Sequence, residues 1–342
     1  MLGDREIDCM LLTSNGPGRR CPICEGALAV SRHEWMLRCV DCGFLCSQLH
    51  PNLNDAKKGL DEHRRAAALR NVRQHNFAVL LDIIQASCPS GLILEVGCGH
   101  GWFLQQAIAR GYYGVGIEPD LEIAEIAKSR CGDIRTGSFP DAIRADEKFD
   151  IIAFNDVLEH IPAVDDVLTA ARAHLRQSGL LVLNLPLSSG IFYRVADLLD
   201  RAGISGPLAR MWQINFPSPH LSYFNAQQLI SLAERQGFHC LKATHLRSLD
   251  WHGLWQRLRY DRSQSALGAA TLWLLLMPII PILHLLPPDV GVFLFARNTL
   301  RRAETHERAT HCGGNSVLSR RQKNPRCDSP HRARSHCDLC RR

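Results

Sequence analysis

No charge of either sign dominates this sequence: 40 Lys and Arg stand against 34 Asp and Glu in 342 residues, a formal net charge of +6 at pH 7. Much of the excess lies near the C-terminus. It argues weakly for an anionic surface and does not describe a nucleic-acid groove, so nucleic acid is not an expected partner. Secretion is not expected either, because residues 1–20 mix acids, a cysteine and glycines and show no basic, then apolar, then small-residue stretch. The expected compartment is cytoplasmic, and the 14 cysteines are not taken by default as a disulfide framework. Wholesale disorder is excluded by composition, since 46% hydrophobic against 22% charged residues can bury a sizeable core.

The rest of the chain is organised around residues 91–120, GLILEVGCGHGWFLQQAIARGYYGVGIEPD. Leu92 to Val96 reads as a buried strand ending in Glu95 and Val96. Gly97, Gly99 and Gly101 then alternate with Cys98 and His100, and Trp102 to Arg110 has helical spacing of Phe103, Leu104, Ala107 and Ile108. A second apolar run, Tyr112 to Ile117, ends at Glu118. In a parallel sheet this puts a carboxylate at the end of the neighbouring strand, placed to accept from ribose hydroxyls while backbone N–H groups cover another part of a nucleoside. The glycine spacing is GxGxG and not the GxGxxG of pyrophosphate binding, which counts against a nicotinamide enzyme.

This unit resembles the nucleoside-binding loop of the class I S-adenosylmethionine-dependent methyltransferases, with Glu95 before the glycines and Glu118 closing the next strand. The resemblance continues for roughly 160 residues: Phe149 to Ile161, FDIIAFNDVLEHI, looks like that family's fourth strand and the loop at the cofactor's methionine end. It implies S-adenosylmethionine as cofactor, with Glu95, Gly97, Gly99, Gly101, Glu118, Ser138, Phe139, Asn155 and Asp156 at its site. Ser138 and Phe139 follow Gly137 where the family often has an acid, which puts the adenine amino contact in question. The implied fold is α/β, a doubly wound, seven-stranded and mostly parallel sheet, with residues 239–246 as sixth strand and 290–296 as a seventh lying antiparallel at the sheet edge.

His160 and His220 are the candidate catalytic residues, each as a base or a polar wall beside the transferring methyl group. Glu159 and His160 could equally mark the start of a surface helix, and His220 could cap or pack against the helix after it. The cysteines cluster most sharply at Cys21-Pro-Ile-Cys24 and Cys39-Val-Asp-Cys42. Paired CxxC turns suit a closed tetrahedral Zn²⁺ site, here a zinc ribbon with a hairpin of residues 27–30 and 35–38 between the knuckles. Cys46 is a possible spare ligand.

The expected organisation is a zinc-ribbon-like module at 18–47, a methyltransferase domain at 60–298 with an acceptor-side insertion at 187–219, and a basic, disordered tail at 299–342. Within the domain, residues 264–288 carry no charge apart from a possible one on His284, contain Pro278 and Pro281, and have arginines on both sides. A complete crossing of a bilayer would strand the seventh strand away from the other six. The segment is expected either as a hairpin or shallow helix entering a membrane from its cytoplasmic face, or as an apolar pair buried against the domain or a second copy. The function expected is methyl transfer to an O or N atom of a small or lipid-linked molecule. The alternative is an inactive methyltransferase-like protein serving as a zinc-containing interaction module.

Overall fold

A computed structural model describes residues 20–51, 62–214, 216–246, 255, 266–277 and 288–297. It opens with three short strands, β1 (Leu28–Val30), β2 (Met36–Cys39) and β3 (Leu45–Ser47), each antiparallel to the next. The expected hairpin between the cysteine pairs is therefore present. One long helix follows, α1 (Glu62–Gln85), whose Phe77, Leu80, Leu81 and Ile84 are buried at helical spacing.

The main sheet then builds in the βα rhythm of the sequence: β4 (Leu92–Val96), α2 (Trp102–Ala109), β5 (Tyr113–Glu118), α3 (Leu121–Cys131), β6 (Ile134–Thr136), β7 (Phe149–Asn155), α4 (Val164–His174) and β8 (Leu175–Pro186). After it come α5 (Ile191–Arg201) and α6 (Gly206–Met211) within the expected insertion, then β9 (Ser222–Tyr223), α7 (Ala226–Arg235), β10 (Phe238–Leu246), α8 (Ala266–Leu276) and β11 (Val290–Arg297). Seven strands pair in the order β10-β11-β8-β7-β4-β5-β6, with β4, β5, β6, β7 and β8 parallel. Strands β4 and β7 are buried on both faces and are apolar apart from Glu95, Asp150 and Asn155, as a sheet covered by helices on both sides requires.

One detail differs from expectation. The antiparallel strand is β11, but it lies inside the sheet between β8 and β10, and β10 takes the edge. Burial explains the exchange: Val292 to Phe295 are completely enclosed, whereas β10 is exposed or half-exposed along most of its length. In α3 the buried residues are Ala124 and Ala127; the helix packs so close to the glycine turn that a Cβ on Gly101 would lie 3.4 Å from Ala127 Cβ.

The N-terminal strands do not form a free-standing module. Strand β9, far along the chain, adds to them as a fourth strand in the order β1-β2-β3-β9, with Cys46 opposite Ser222 and Leu45 opposite Tyr223. Ile23, Leu28, Leu37 and Phe44 share one apolar cluster with Phe154, Leu229 and Phe293 of the large domain. Polar ties reinforce that packing: Gln228 donates to the Cys42 carbonyl at 3.0 Å, Arg235 to the Pro22 carbonyl, and Arg32 and His33 both hold Asp200 on α5. Among the described residues no helix is long and apolar enough to cross a membrane. Of the uncharged segment, α8 is described and exposes Leu267, Leu274 and Leu275; Pro278, Pro281 and the rest as far as residue 287 lie outside the described residues, as does the expected tail at 299–342.

Candidate active site

Strand β4 delivers Glu95 and Val96 to its carboxyl end, and the chain then turns through Gly97, Gly99 and Gly101 at φ values of 66°, 52° and 75°. These glycines are required for different reasons. A Cβ on Gly97 would lie 2.6 Å from Val157 Cγ2, and one on Gly101 would lie 2.9 Å from Cys131 Sγ, so both sit under packed neighbours. At Gly99 a Cβ would meet nothing within 4 Å; there the left-handed backbone opens onto empty space at the strand end.

Two carboxylates face this turn. Glu118, 8% exposed, accepts from the backbone N–H of Gly99 at 2.9 Å and of Asp120 at 3.0 Å. Burial raises its pKa and those two bonds oppose the rise. Glu95 is 2% exposed; its Oε1 accepts from Asn155 Nδ2 at 2.8 Å, while Oε2 has no hydrogen-bond partner among the described residues. Burial pushes its carboxyl up to about 8, against the Asn155 bond and the positive charge of Arg73. Asp156 adopts φ 55°, donates its N–H to the Asn184 carbonyl at 2.7 Å, and lies 3.7 Å from the Arg73 guanidinium of α1.

Because β5 and β7 flank β4, the structure brings Glu95, the glycine turn, Glu118, Asn155 and Asp156 to adjacent strand ends. The Ser138–Phe139 pair divides. Ser138 is exposed, whereas the Phe139 ring is committed to the core, edge-on to Phe154 at 5.9 Å and His174 at 6.2 Å.

Next to this cradle, residues 158–160 form a single 3-10 turn after β7. Glu159 is 1% exposed, so a surface helix start does not describe it, and neither carboxylate oxygen has a hydrogen-bond partner among the described residues. Burial, with the Asp156 charge beside it, holds its pKa well above the ordinary carboxylate range. His160 and His220 do meet: their ring centroids are 4.7 Å apart at 66°. His160 Nδ1 donates to the Pro219 carbonyl at 2.9 Å, which leaves Nε2 as the acceptor nitrogen of the neutral ring, 4.0 Å from Glu159 Oε1. Gln213 Nε2 lies 2.8 Å from His220 Nε2.

The backbone around His220 is held by segments remote in sequence. Leu221 donates to the Glu159 carbonyl at 2.7 Å, His220 to the Trp212 carbonyl at 3.1 Å, and Ser47 Oγ to the His220 carbonyl at 2.8 Å. Glu159, Gln213 and Ser47 were not singled out from sequence as site residues. Glu159 had a signal, its place beside His160 in the FNDVLEHI run; Ser47 had none, because only the β3–β9 pairing brings it here.

In the N-terminal module, Cys21, Cys24, Cys39 and Cys42 place their sulfurs within 4.8 Å of one another, with Cys21–Cys42 at 3.5 Å and Cys24–Cys39 at 3.4 Å. The two turns repeat one pattern. Cys21 N–H bonds Gly26 O and Cys39 N–H bonds Phe44 O, both at 2.8 Å, and Glu25 and Gly43, each following its second cysteine, adopt φ 64° and 71°. Such a closed group of four thiols has the donor set and number of a structural Zn²⁺ site. Cys46 is not in that group: it is buried in the ladder position opposite Ser222, which removes it as a spare ligand.

A doubly wound sheet with a glycine turn and two acids at its strand ends defines a nucleoside-binding α/β domain. The family model described as "Methyltransferase domain" matches residues 62–243, a little over half of the chain, and the protein belongs to that family. Its seven-stranded sheet is of the class I methyltransferase kind. Among curated relatives, it is 32% identical over 117 residues to a ubiquinone biosynthesis O-methyltransferase of Actinobacillus pleuropneumoniae, covering 30% of this chain and 49% of that one. To its namesake in Bartonella bacilliformis it is 29% identical over 97 residues, 27% of this chain and 39% of that one. The chain thus spans about half or less of the length of these relatives. A solved structure from Thermotoga maritima, titled a SAM-dependent methyltransferase and possible histamine N-methyltransferase, aligns over 69% of this chain and 94% of its own with 16% identity and a TM-score of 0.45.

Proposed function

We propose that the protein is an S-adenosylmethionine-dependent methyltransferase acting on an O or N atom of a small or lipid-linked molecule, with a structural Zn²⁺ in its N-terminal module. The observation that carries this reading is the cradle itself: a glycine turn open at Gly99, a carboxylate able to accept from ribose hydroxyls, and a buried acid with one oxygen lacking a partner. Those features suit a ligand with sugar hydroxyls at one end and positive charge at the other. In this reading the backbone from Gly97 to Gly101 and Glu118 hold the nucleoside, Ser138 borders the adenine, and Glu95, Asn155 and Asp156 face the methionine end.

When bound, S-adenosylmethionine supplies a methyl group made electrophilic by its sulfonium. His160 and His220 line the acceptor side, where either can take a hydroxyl or ammonium proton as the acceptor attacks. Alignment supplies most of the remaining rate, and the buried floor of Leu221, Tyr223 and Trp212 excludes water from one side. The zinc would be held by Cys21, Cys24, Cys39 and Cys42 and would fix the turns that carry β3.

The apolar helix α8, with Leu267 80% exposed, supports a peripheral contact of residues 264–288 with the cytoplasmic face of a membrane, which would bring a long-chain acceptor to the site. The test is transfer of a labelled methyl group from S-adenosylmethionine into fractionated extract of the source cells. Label in the lipid fraction is expected. Label confined to the aqueous fraction would remove the lipid-linked acceptor, and no label together with no cofactor binding by calorimetry would remove the enzyme.

A further inference from the structure

Glu159 poses a problem that the cofactor cradle does not solve. A carboxylate with 1% exposure and no hydrogen-bond partner for either oxygen among the described residues is costly to ionise without compensation. The positive charge of Arg73, 3.7 Å from Asp156, opposes the effect of burial on Glu159 only in part. Beside Glu159 there is also a pair of imidazoles. One ligand atom from each of Glu159, His160 and His220 lies within 4.8 Å of the other two.

We propose that Glu159, His160 and His220 form a second cation site, distinct from the four cysteines, which binds a divalent first-row metal ion at the acceptor side of the cradle. Two imidazoles and one carboxylate suit Zn²⁺, Co²⁺, Mn²⁺ or Fe²⁺ and leave positions open for an exogenous oxygen. The contact made by His160 fits ligation: Nδ1–H is directed to the Pro219 carbonyl, which fixes the ring and presents Nε2 as the basic nitrogen on the side of Glu159. At His220, the Gln213 amide at Nε2 plays the corresponding part if its oxygen takes the place of its nitrogen, accepting from Nε2–H and leaving Nδ1 to ligate. Loading draws the three donors together by about 1 Å, a small movement for side chains at a turn and a loop.

The role of this ion rests on the methyltransferase reading, although the site itself does not. It narrows the acceptor to an oxygen nucleophile such as a phenol, an enol or a carboxylic acid. An amine bound to the cation would have its only lone pair occupied, whereas a bound oxyanion keeps further pairs. With the ion bound, both imidazoles ligate and neither acts as the base, so the acceptor hydroxyl gives its proton to water as its oxygen binds. The oxygen then forms the O–C bond to the methyl group as the C–S bond breaks, the pair staying on sulfur.

The experiment uses the full chain with its cysteine site filled by zinc, verified by elemental analysis, and titrates Co²⁺ by calorimetry. One further equivalent is expected in the native protein, with affinity reduced about tenfold or more in Glu159→Gln and in His220→Ala while the zinc content stays the same. Glu159→Gln replaces a buried carboxyl that has no hydrogen-bond partner among the described residues with an amide, and is expected to melt at or above the native protein in the absence of added cation. Added Co²⁺ should raise the melting temperature of the native protein only. Absence of a second equivalent in the native protein, or undiminished binding in both variants, overturns the site. S-adenosylmethionine affinity in the same preparations reports the methyltransferase reading separately: cofactor bound without a second cation ends this inference alone, and a second cation without cofactor ends only the assigned role.

Discussion

The two halves of the candidate site are built in opposite ways. The cofactor half comes from one run of chain, Glu95 to Asp156, in which each strand sets the place of the next, and its hydrogen bonds join neighbouring strand ends. The acceptor half is assembled from three distant pieces: the turn at Glu159 and His160, the loop from Gln213 to Tyr223, and the N-terminal strand β3 with Ser47. A local unit can be kept while its partner is altered. In the proposed reading, a cofactor-binding unit built from one run of chain is served by an acceptor side to which the N-terminal module contributes.

The largest effect should come from cutting that attachment. In Cys24→Ser with Cys42→Ser the proposed zinc site is lost, and with it much of the folding free energy that the metal would supply to a module this small. The β3–β9 pairing then has no rigid partner strand. Turnover on the acceptor is expected to fall more than about a hundredfold while S-adenosylmethionine affinity stays within about threefold, judged by calorimetry beside a methyl-transfer assay. An equal loss of both would break the comparison, since the halves would then unfold as one.

What sequence revealed follows the same division. The strand, glycine turn and helix of residues 92–110 and the acid at Glu118 are periodic or adjacent features, so their meeting at one sheet edge was legible. The paired CxxC turns were legible as a ligand set for the same reason. Pairing of β3 with β9 was not, because two short strands some 175 residues apart carry no pattern naming each other. The burial of Glu159 depends on that pairing, as does the value of Ser47. Even His220, a candidate from sequence, owes its meeting with His160 to backbone contacts that no spacing encodes. The exchange of β10 and β11 at the sheet edge had a signal that was missed: β11 is apolar from Val290 to Ala296, as an interior strand requires, whereas β10 is interrupted by His239, Lys242, Thr244 and His245.

Within the cofactor half, Glu118→Ala removes a carboxylate already held by two backbone N–H groups. A charged acceptor lost from ribose hydroxyls costs about 1.5–3 kcal/mol, or about 10- to 100-fold in S-adenosylmethionine affinity. Acceptor affinity at saturating cofactor should not move, and a matching loss there would blur the division.

Glu95 sharpens the comparison through pH. Its carboxyl is pushed up to about 8 by burial, with Asn155 and Arg73 opposing and Glu118 adding to the rise. In the unfolded chain the group loses its proton near its ordinary value of 4.5, whereas the folded protein keeps it until about 8. Between those limits the folded state binds more protons, so the contribution of Glu95 to stability falls as pH rises through the window. Glu95→Gln should flatten that slope in denaturant titrations. A cationic ligand favours the ionised carboxylate, so cofactor binding releases a proton below pH 8 and affinity should rise by about tenfold between pH 7 and 9. Calorimetry in buffers of differing ionisation enthalpy counts that proton; a count of zero would remove Glu95 from the cationic end of the ligand.

The smallest effect tests the acceptor half most selectively. Ser47 is fully buried on β3, its N–H bonded to the Leu221 carbonyl at 3.0 Å and its Oγ donating to the His220 carbonyl at 2.8 Å. Ser47→Ala keeps the strand pairing and removes only the side-chain bond, a loss of about 1 kcal/mol. Being one strand away from the imidazole, Ser47 acts on position and not on chemistry. The expected result is about a fivefold loss of kcat/KM for the acceptor, with cofactor affinity and zinc content unchanged. The pH profile of turnover should keep its shape, because no titrating group has been touched. A loss confined to thermal stability, with turnover intact, would reduce Ser47 to an ordinary buried hydroxyl and show that β9 holds His220 in place without help from the module.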